Sequence, residues 1–439
     1  MRKRLALLAV VLSLLPARVP GQTPAAPTPA PGVALPAAPS AAPSSFTLTP
    51  ERYEKAVAYA KARYTLHFVS FVWNVLVLLA IIGWRVGPRF RDRAEAAARR
   101  RFWQAAVFVP LLFTTQAILD LPMDIYGHRL AVRYGISVQG WGSWLWDQAK
   151  GLLVGFLIAI PLVWLLYAIL RKSPKRWWLW FWLALLPILV FLIFLAPVAI
   201  DPLFFRFEPL APKNPELAAR IEEVTVRAGR HIPQQRMFEM NASSKSKAIN
   251  AYVAGIGASK RVVVWDNTIA RATVAQTLFV FGHEMGHYVL GHIPKLIAFL
   301  WAGFFVTLAV CAAVLTRWLN RPAGRWGIRG IADWASLPVF LLAVTVLGEV
   351  AQPIVNGFVR AHEHDADVFG LEAIHGIVPE SQKAAAEAFQ ILGEVNLSDP
   401  DPSPFTRFWL YDHPPLAERL KFAAEYDPWG RGQAPRYLR

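Results

Sequence analysis

The segment FGHEMGHYVLGH, residues 281–292, contains two histidines four residues apart, with a glutamate directly after the first. On a helix, positions i and i+4 lie about 40° apart, so His283 and His287 can direct their imidazoles at one metal ion. Glu284 can then accept a proton from a metal-bound water without itself binding the metal. Two imidazoles, one carboxylate and an open position are typical of hydrolytic zinc sites, in which zinc acidifies water and polarises a carbonyl group. This segment therefore predicts a hydrolytic site with one Zn²⁺ per chain.

The segment RAHEHDAD, residues 360–367, offers the third ligand that such a site requires. Glu363 and Asp367 are again four residues apart and therefore lie on one face of a helix. We expect Glu363 to complete the coordination and Asp367 to orient a ligand imidazole through a hydrogen bond. The alternative for this pair is an exposed, polar start of a helix.

Three other histidines lie close to these ligands in the sequence. His292 is about 140° further round a continuous helix than His287, which places it poorly for coordination. His362 and His364 flank Glu363 but project away from the ligand face. If His292 or His364 joined the first three ligands, the site would be closed and the metal would be structural. The alternative function is then a non-proteolytic membrane channel or scaffold with a structural zinc site.

The composition indicates that these motifs belong to an integral membrane protein. Hydrophobic residues make up 55% of the 439 residues and charged residues only 17%, which is too apolar for a water-soluble protein of this size. Six apolar runs are each long enough to cross a hydrocarbon core of about 30 Å as a helix. The runs are approximately Leu66–Trp84, Phe102–Leu119, Gly151–Leu170, Trp177–Ile200, Leu296–Leu315 and Leu337–Val355.

These runs divide the chain into segments of different kinds. We expect a signal peptide or N-terminal anchor at 1–21, an Ala/Pro-rich tether at 22–47, a membrane domain with four transmembrane helices at 48–200, a first catalytic part at 201–295, two transmembrane helices at 296–356 and a second catalytic part at 357–439. In the first catalytic part, LAARIEEVTVRAG and TVAQTLFVFGHEMGHYVL predict helices, and AYVAGIG and RVVVWD predict two short strands.

The net charge of +16 indicates how the chain lies in its membrane. Arginine and lysine cluster in the segments 85–101, 171–176 and 316–336, whereas the segment 121–149 is poor in them. The positive-inside rule makes the three basic segments cytoplasmic and places both catalytic parts on the extracytoplasmic side. No aromatic-rich basic recognition motif is present, so we expect a lipid bilayer and a polypeptide substrate as partners, and no nucleic acid.

These motifs together resemble the type I CAAX prenyl endopeptidases, which are multi-pass membrane zinc metalloproteases with bacterial relatives. The resemblance extends from about Glu51 to about Tyr426. It is carried by YEKAVAYAKARY, LPMDIYGHRLAVRYGIS, DPLFFRFEPL, INAYVAG, HEMGHYVLGH, RAHEHDAD and DHPPLAERL. It implies a bacterial-type member with a mainly α fold: a polytopic helical membrane protein with a small α+β gluzincin-type metalloprotease domain, split by two transmembrane helices.

The same resemblance implies an activity and a set of site residues. It gives His283, His287 and Glu363 as the zinc ligands and Glu284 as the catalytic base. The implied reaction is the hydrolysis of peptide bonds in membrane-associated or envelope polypeptides, in a chamber enclosed by the membrane helices. Because the resemblance implies a bacterial-type member, we expect the protein in the bacterial inner membrane.

The remaining site residues also follow from the resemblance. NAYVAG matches an edge strand that pairs with an extended substrate, with Asn250, Ala251 and Tyr252 as binding residues. His413, in DHPPLAER, matches a histidine that can stabilise the oxyanion of the tetrahedral intermediate. Arg360 matches an arginine that can brace Glu363 or Asp367.

Overall fold

The structure is a computed structural model that describes residue 43 and residues 45–255, 260–319 and 326–438. The expected signal peptide or anchor, 1–21, and all but the end of the Ala/Pro-rich tether, 22–47, lie outside the described residues.

The chain is mainly helical, with a small sheet in its second half. The helices are α1 (Pro50–Gly83), α2 (Val86–Ala97), α3 (Arg101–Arg133), α4 (Trp141–Lys172), α5 (Trp177–Leu195), α6 (Leu210–Lys213), α7 (Pro215–Arg227), α8 (Asp266–Arg271), α9 (Val274–Val289), α10 (His292–Leu319), α11 (Leu337–Ile374), α12 (Ser381–Val395), α13 (Pro404–Leu410) and α14 (Leu416–Glu425). The strands are β1 (Phe207–Pro209), β2 (Met237–Met240), β3 (Ala251–Ala254) and β4 (Arg261–Trp265).

Among the described residues, six helices are long and apolar enough to cross a bilayer, namely α1, α3, α4, α5, α10 and α11. This confirms the polytopic helical fold. Large apolar side chains remain exposed along these helices, for example Leu157 at 68% and Ile354 at 66%, as expected for a surface that faces lipid. Five of these helices are longer than their apolar runs, because a helix can continue past the hydrocarbon core once its side chains become polar. The exception is α5, which ends at Leu195, and the rest of its run forms a short π-helical segment, Ala196–Ile200.

The three basic segments lie together at one end of the helix bundle. α2 forms part of the first segment, and its buried Arg91 donates a hydrogen bond to Asp333 at 2.7 Å. Arg329 contacts α2 through a second ion pair at 2.8 Å. Arg171, at the end of α4, lies 5.1 Å from the centre of the Trp334 ring. The packing therefore agrees with the charge pattern, which assigns all three segments to one membrane face.

The sheet and the later helices lie at the opposite end. The sheet has the order β1-β2-β4-β3, with β2 and β4 parallel and the other neighbours antiparallel. The turn between α3 and α4 is attached to this part: the Ile136 carbonyl accepts a hydrogen bond from the Lys247 backbone at 3.0 Å, and Lys245 pairs with Asp147 at 2.6 Å. The helices and the two strands predicted in the first catalytic part all form, as α7, α9, β3 and β4.

Candidate metal centre

The HEMGH segment lies on α9, a helix with well-defined ends. Thr273 and Gln276 form a reciprocal capping box at its start, which satisfies free amide groups of the first turn. The helix ends at Val289, and Gly291 then adopts φ +68°, a left-handed conformation that favours glycine. α10 begins directly afterwards, at His292. The chain therefore turns sharply between the metal-site helix and the fifth membrane span.

α9 and α11 approach each other so closely that only glycine fits between them. A Cβ atom on Gly370 of α11 would lie 2.8 Å from the backbone nitrogen of His283. A Cβ atom on Gly286 would lie 3.1 Å from the Cα of Ala366, and one on Gly282 would lie 3.0 Å from the Gly370 carbonyl oxygen. This contact places the two motif-bearing helices side by side.

The contact brings His283, His287 and Glu363 together, and among the described residues they form a candidate metal-binding group, with one ligand atom from each within 4.8 Å of the others. The Nε2 atoms of the two histidines are 3.1 Å apart, and each lies 3.3–3.4 Å from a carboxylate oxygen of Glu363. The two imidazoles face different oxygens of this carboxylate, Oε2 for His283 and Oε1 for His287. Ligands about 2.0–2.1 Å from a tetrahedral zinc ion are separated by about 3.3–3.4 Å, so the two imidazoles and the carboxylate are spaced as a zinc site requires. One Glu363 oxygen, Oε2, is buried without a hydrogen bond in the described part of the chain, as a metal ligand would be.

The carboxylate of Asp367 lies behind His283, the first proposed ligand, and is itself hydrogen-bonded to an arginine. Its Oδ1 is 2.8 Å from Nδ1 of His283, which leaves Nε2 of that ring facing the metal position. Arg419 of α14 holds the Asp367 carboxylate with two hydrogen bonds, at 2.9 and 2.6 Å. Burial lowers the pKa of His283, but Asp367 and Glu363 outweigh burial and raise this pKa to about 10. The surroundings of His283 therefore favour positive charge, which suits a cation.

The second ligand also has a supporting contact, and it comes from a residue that the sequence did not assign. His292 Nδ1 lies 3.0 Å from Nδ1 of His287. The sequence-based expectation for His292 was wrong in its premise, because it extended one helix through residue 292. The break at Gly291 brings His292 beside His287, although His292 is not a member of the metal-binding group.

The other two neighbouring histidines lie away from the metal position. His362 contacts the Phe358 carbonyl at 2.8 Å, and His364 packs against the Phe422 ring with 4.6 Å between ring centres. Neither belongs to the metal-binding group described above. A fourth protein ligand that would close the site is therefore not present among the described residues.

Glu284 and His413 are the two remaining polar groups expected at the site. Glu284 follows His283 on α9, is partly buried, and forms no hydrogen bond or ion pair within the described ranges. His413 Nε2 lies 3.1 Å from Oε2 of Glu363, and its side chain is 45% exposed. Burial lowers the pKa of His413, but the charges of Glu363 and Asp412 raise it above its ordinary value overall. Both groups are therefore accessible to a molecule that approaches the metal position.

Arg360 does not make the contact that the resemblance implied. Its guanidinium group donates to the backbone carbonyl oxygens of Arg407 and Tyr411 instead of bracing Glu363 or Asp367. The bracing contact is made by Arg419, which the sequence reasoning did not assign even though it lies in the quoted DHPPLAERL motif. Arg360 precedes Glu363 by less than one turn and reaches outward to the α13 segment.

The predicted substrate strand β3 is an edge strand, since it pairs only with β4 among the described strands. The carbonyl of Asn250 accepts a hydrogen bond from the Trp265 amide. In an antiparallel pair, the amide and carbonyl groups of successive residues point alternately towards and away from the partner strand. Those of Tyr252 therefore point towards β4, and those of Ala251 and Val253 point towards the open edge. The Ala251 amide is already bonded to the Asn250 side chain. The side chain of Tyr252 is buried, so its predicted role in substrate binding is not supported by this placement.

A cavity of about 650 Å³ lies between the membrane helices and reaches two residues that contact the candidate metal site. His413 and Arg419 line one end of it. Its other walls are formed by α1, α3 and the start of α4, with Asp120 and Asp124 among the lining residues. The cavity therefore joins the space between the membrane spans to the residues directly beside the candidate metal site.

Comparison with known proteins agrees with these features. The CAAX prenyl protease N-terminal model, described as five membrane helices, matches residues 37–206, and the peptidase family M48 model matches residues 211–427. The uncharacterized metalloprotease YhfN of Bacillus subtilis is 35% identical over 86% of each chain. CAAX prenyl protease 1 of Saccharomyces cerevisiae is 26% identical over 84% of this chain and 85% of that protein.

The fold also has a counterpart among solved structures. The crystal structure of S. mikatae Ste24p superposes with a TM-score of 0.72 at 25% identity, and the match covers 86% of this chain and 89% of that one. Both halves of the chain, the membrane spans and the metal centre thus point to the same group of proteins. The chain belongs to the CAAX prenyl protease group of peptidase family M48, as a bacterial-type member, and is an integral multi-pass membrane metalloprotease.

Proposed function

We propose that this chain is a zinc endopeptidase that hydrolyses peptide bonds in membrane-associated or envelope polypeptides. The observation that carries the proposal is the face formed by His283, His287 and Glu363: the two Nε2 atoms lie 3.1 Å apart, and each lies 3.3–3.4 Å from one of the two Glu363 carboxylate oxygens. These residues would hold one zinc ion and leave its fourth position open, which is the arrangement of catalytic zinc sites. Asp367 and Arg419 fix the orientation of the first histidine.

The protein groups around this face have distinct chemical tasks. When bound, zinc supplies an acidified water and polarises the scissile carbonyl. The Glu284 carboxylate accepts the proton of the attacking water and returns it to the leaving amine. His413 donates a hydrogen bond from Nε2 to the oxygen on which negative charge develops.

The open edge of β3 gives the substrate a fixed direction past these groups. The Ala251 carbonyl and the amide and carbonyl of Val253 can pair with an extended polypeptide main chain. Main-chain pairing favours a substrate in extended conformation but discriminates little between substrate side chains. Side-chain selection must therefore come from elsewhere in the cavity.

The proposal is tested with purified protein and the substitution Glu284→Gln. We expect this variant to retain one zinc ion per chain and to lose peptide hydrolysis by about three orders of magnitude or more. Glu216→Gln, which alters an exposed glutamate at the start of α7, is the control and should behave as wild type. Cleavage by Glu284→Gln at the wild-type rate and with normal zinc content would overturn the mechanism. Loss of zinc from His364→Ala, to the extent seen with His283→Ala, would instead indicate a closed structural site.

The location of the site is part of the same proposal. The three basic segments share one end of the bundle, and the positive-inside rule makes that end cytoplasmic. The catalytic parts, 201–295 and 357–439, would then face outward from a bacterial inner membrane. A phosphatase reporter fused after residue 439 should be active on the extracytoplasmic side. Activity of only a cytoplasmic reporter at that position would invert the orientation.

A further inference from the structure

One wall of the cavity carries hydrogen-bond acceptors on successive turns of a membrane-spanning helix. Asp120, Asp124 and His128 follow one another at intervals of four residues on α3, so they form a stripe on one face, and all three line the cavity. Asp120 is 94% buried in this wall, where Asn74 of α1 donates to its Oδ2 at 3.2 Å.

His128 gives the stripe an acceptor that points to a ligand. The ring is 95% buried, stacks on Trp144 with 5.0 Å between ring centres, and is hydrogen-bonded to the backbone of Gln139. A ring that donates one N–H to a backbone carbonyl presents its second nitrogen as an acceptor. That nitrogen, Nε2, is buried and has no hydrogen-bond partner in the described chain. A donor from outside the protein would satisfy it.

The stripe begins at about the level of the metal centre, at His128, and Asp120 lies about 12 Å further towards the basic end. α3 and α11 both begin at the basic end of the bundle and run towards the other end. At about 1.5 Å per residue, His128 is about 40 Å along the axis from Arg101, and Glu363 is about 39 Å from Leu337. His413 and the stripe also line the same cavity. A polypeptide bound at the metal can therefore reach the stripe.

The chemistry of the stripe selects one class of ligand. Two carboxylates and an imidazole acceptor in succession match a cationic donor. Gln148, one turn after Trp144 on the adjacent wall, has a buried Nε2 without a hydrogen bond among the described residues, and it can donate to a carbonyl of the same segment. We propose that Asp120, Asp124 and His128 form a subsite for a lysine or arginine side chain of the polypeptide substrate. This inference rests on the proposed endopeptidase function and names the substrate class that it favours.

The test uses the full-length protein in lipid nanodiscs with zinc bound. A neutral parent peptide is compared with a set in which a single lysine, or a single norleucine of similar shape, occupies each position around the scissile bond. We expect at least one lysine position to raise kcat/KM about tenfold or more over norleucine, because a charge-assisted hydrogen bond is gained. In Asp120→Asn/Asp124→Asn this ratio should fall close to one, and in His128→Phe it should fall partly.

The control is Glu54→Gln/Glu216→Gln, which removes the same charge from exposed positions outside the cavity and should retain the wild-type ratio. Equal rates for lysine and norleucine at every position in wild type would overturn the subsite. A lysine preference that persists in the double aspartate variant would overturn it as well.

Failure of the proposed function gives a different result, namely no cleavage of any peptide by the zinc-loaded protein. The subsite is then judged by peptide affinity for the Glu284→Gln variant. A lysine peptide should bind about tenfold tighter than its norleucine counterpart, and equal affinities would refute the subsite.

Discussion

The close contact of α9 and α11 makes Gly370 a sensitive position, because it packs against the backbone of the proposed ligand His283. In Gly370→Ala the new methyl group would lie 2.8 Å from the backbone nitrogen of His283 and 3.1 Å from its Cα. Van der Waals contact requires about 3.5 Å, so the helices must separate locally by about 0.7 Å. Metal sites tolerate displacements of about 0.2 Å in ligand positions. Overpacking of this kind costs about 1–3 kcal/mol, and an equal loss of zinc-binding free energy corresponds to a zinc affinity about 5- to 150-fold weaker.

The control lies on the same helix. A methyl group at Gly348 meets no atom within 4 Å, so Gly348→Ala gains helix propensity without a clash. Zinc affinity is measured for both variants by competition with a chromophoric chelator, together with peptide cleavage at saturating zinc. We expect Gly370→Ala to lose affinity and activity and Gly348→Ala to match wild type. Wild-type zinc affinity in a folded Gly370→Ala protein would refute the view that glycine contacts set the ligand geometry.

Three further changes test buried polar contacts, two beside the proposed metal ligands and one at the C-terminal segment. Arg419→Lys keeps the charge but loses the paired hydrogen bonds to its carboxylate partner, so zinc affinity should fall about tenfold in chelator competition; unchanged affinity would contradict this. His292→Ala should weaken zinc binding by about 10–100-fold, whereas His287→Ala should abolish it; equal losses would make His292 a ligand. Glu372→Ala removes a buried carboxylate that accepts the amides of residues 436–438, so it should lower the thermal midpoint and expose the C-terminus to carboxypeptidase; a resistant terminus would disprove this role.

The parts of the fold and site that could be predicted are those set by local pattern. Apolar run length specified the six spans, because the hydrocarbon thickness dictates the length of a spanning helix. Helical periodicity placed His283 and His287 on one face and Glu363 and Asp367 on another, because side chains four residues apart always share a face. The structure adds the distances between the two faces, which no single-helix pattern contains.

The parts that could not be predicted depend on a chain reversal or on contacts between distant segments. The expected angle of about 140° between His287 and His292 assumed that α9 continues through residue 292. The helix ends before the left-handed Gly291, so this angle does not apply. Arg419 is a single arginine on α14, and nothing in its spacing distinguishes it from an exposed charge. Arg360 shares a face with Glu363 in sequence terms, but its long side chain reaches the carbonyls of the α13 segment. The partners of a long side chain are determined by the tertiary packing around it, which spacing in the sequence does not specify.

The length of α11 explains how a site that consumes water can adjoin lipid. α11 starts at the basic end of the bundle and is continuous from Leu337 to Ile374. Glu363 lies about 39 Å along this helix, which exceeds the hydrocarbon thickness of about 30 Å. We therefore expect α11 to carry Glu363, the proposed third ligand, beyond the far face of the membrane, where α9 supplies the two proposed histidine ligands. Polar side chains line the cavity that leads back between the spans as far as His413 and Arg419, so we expect water and a polypeptide to approach the metal centre through it without crossing lipid.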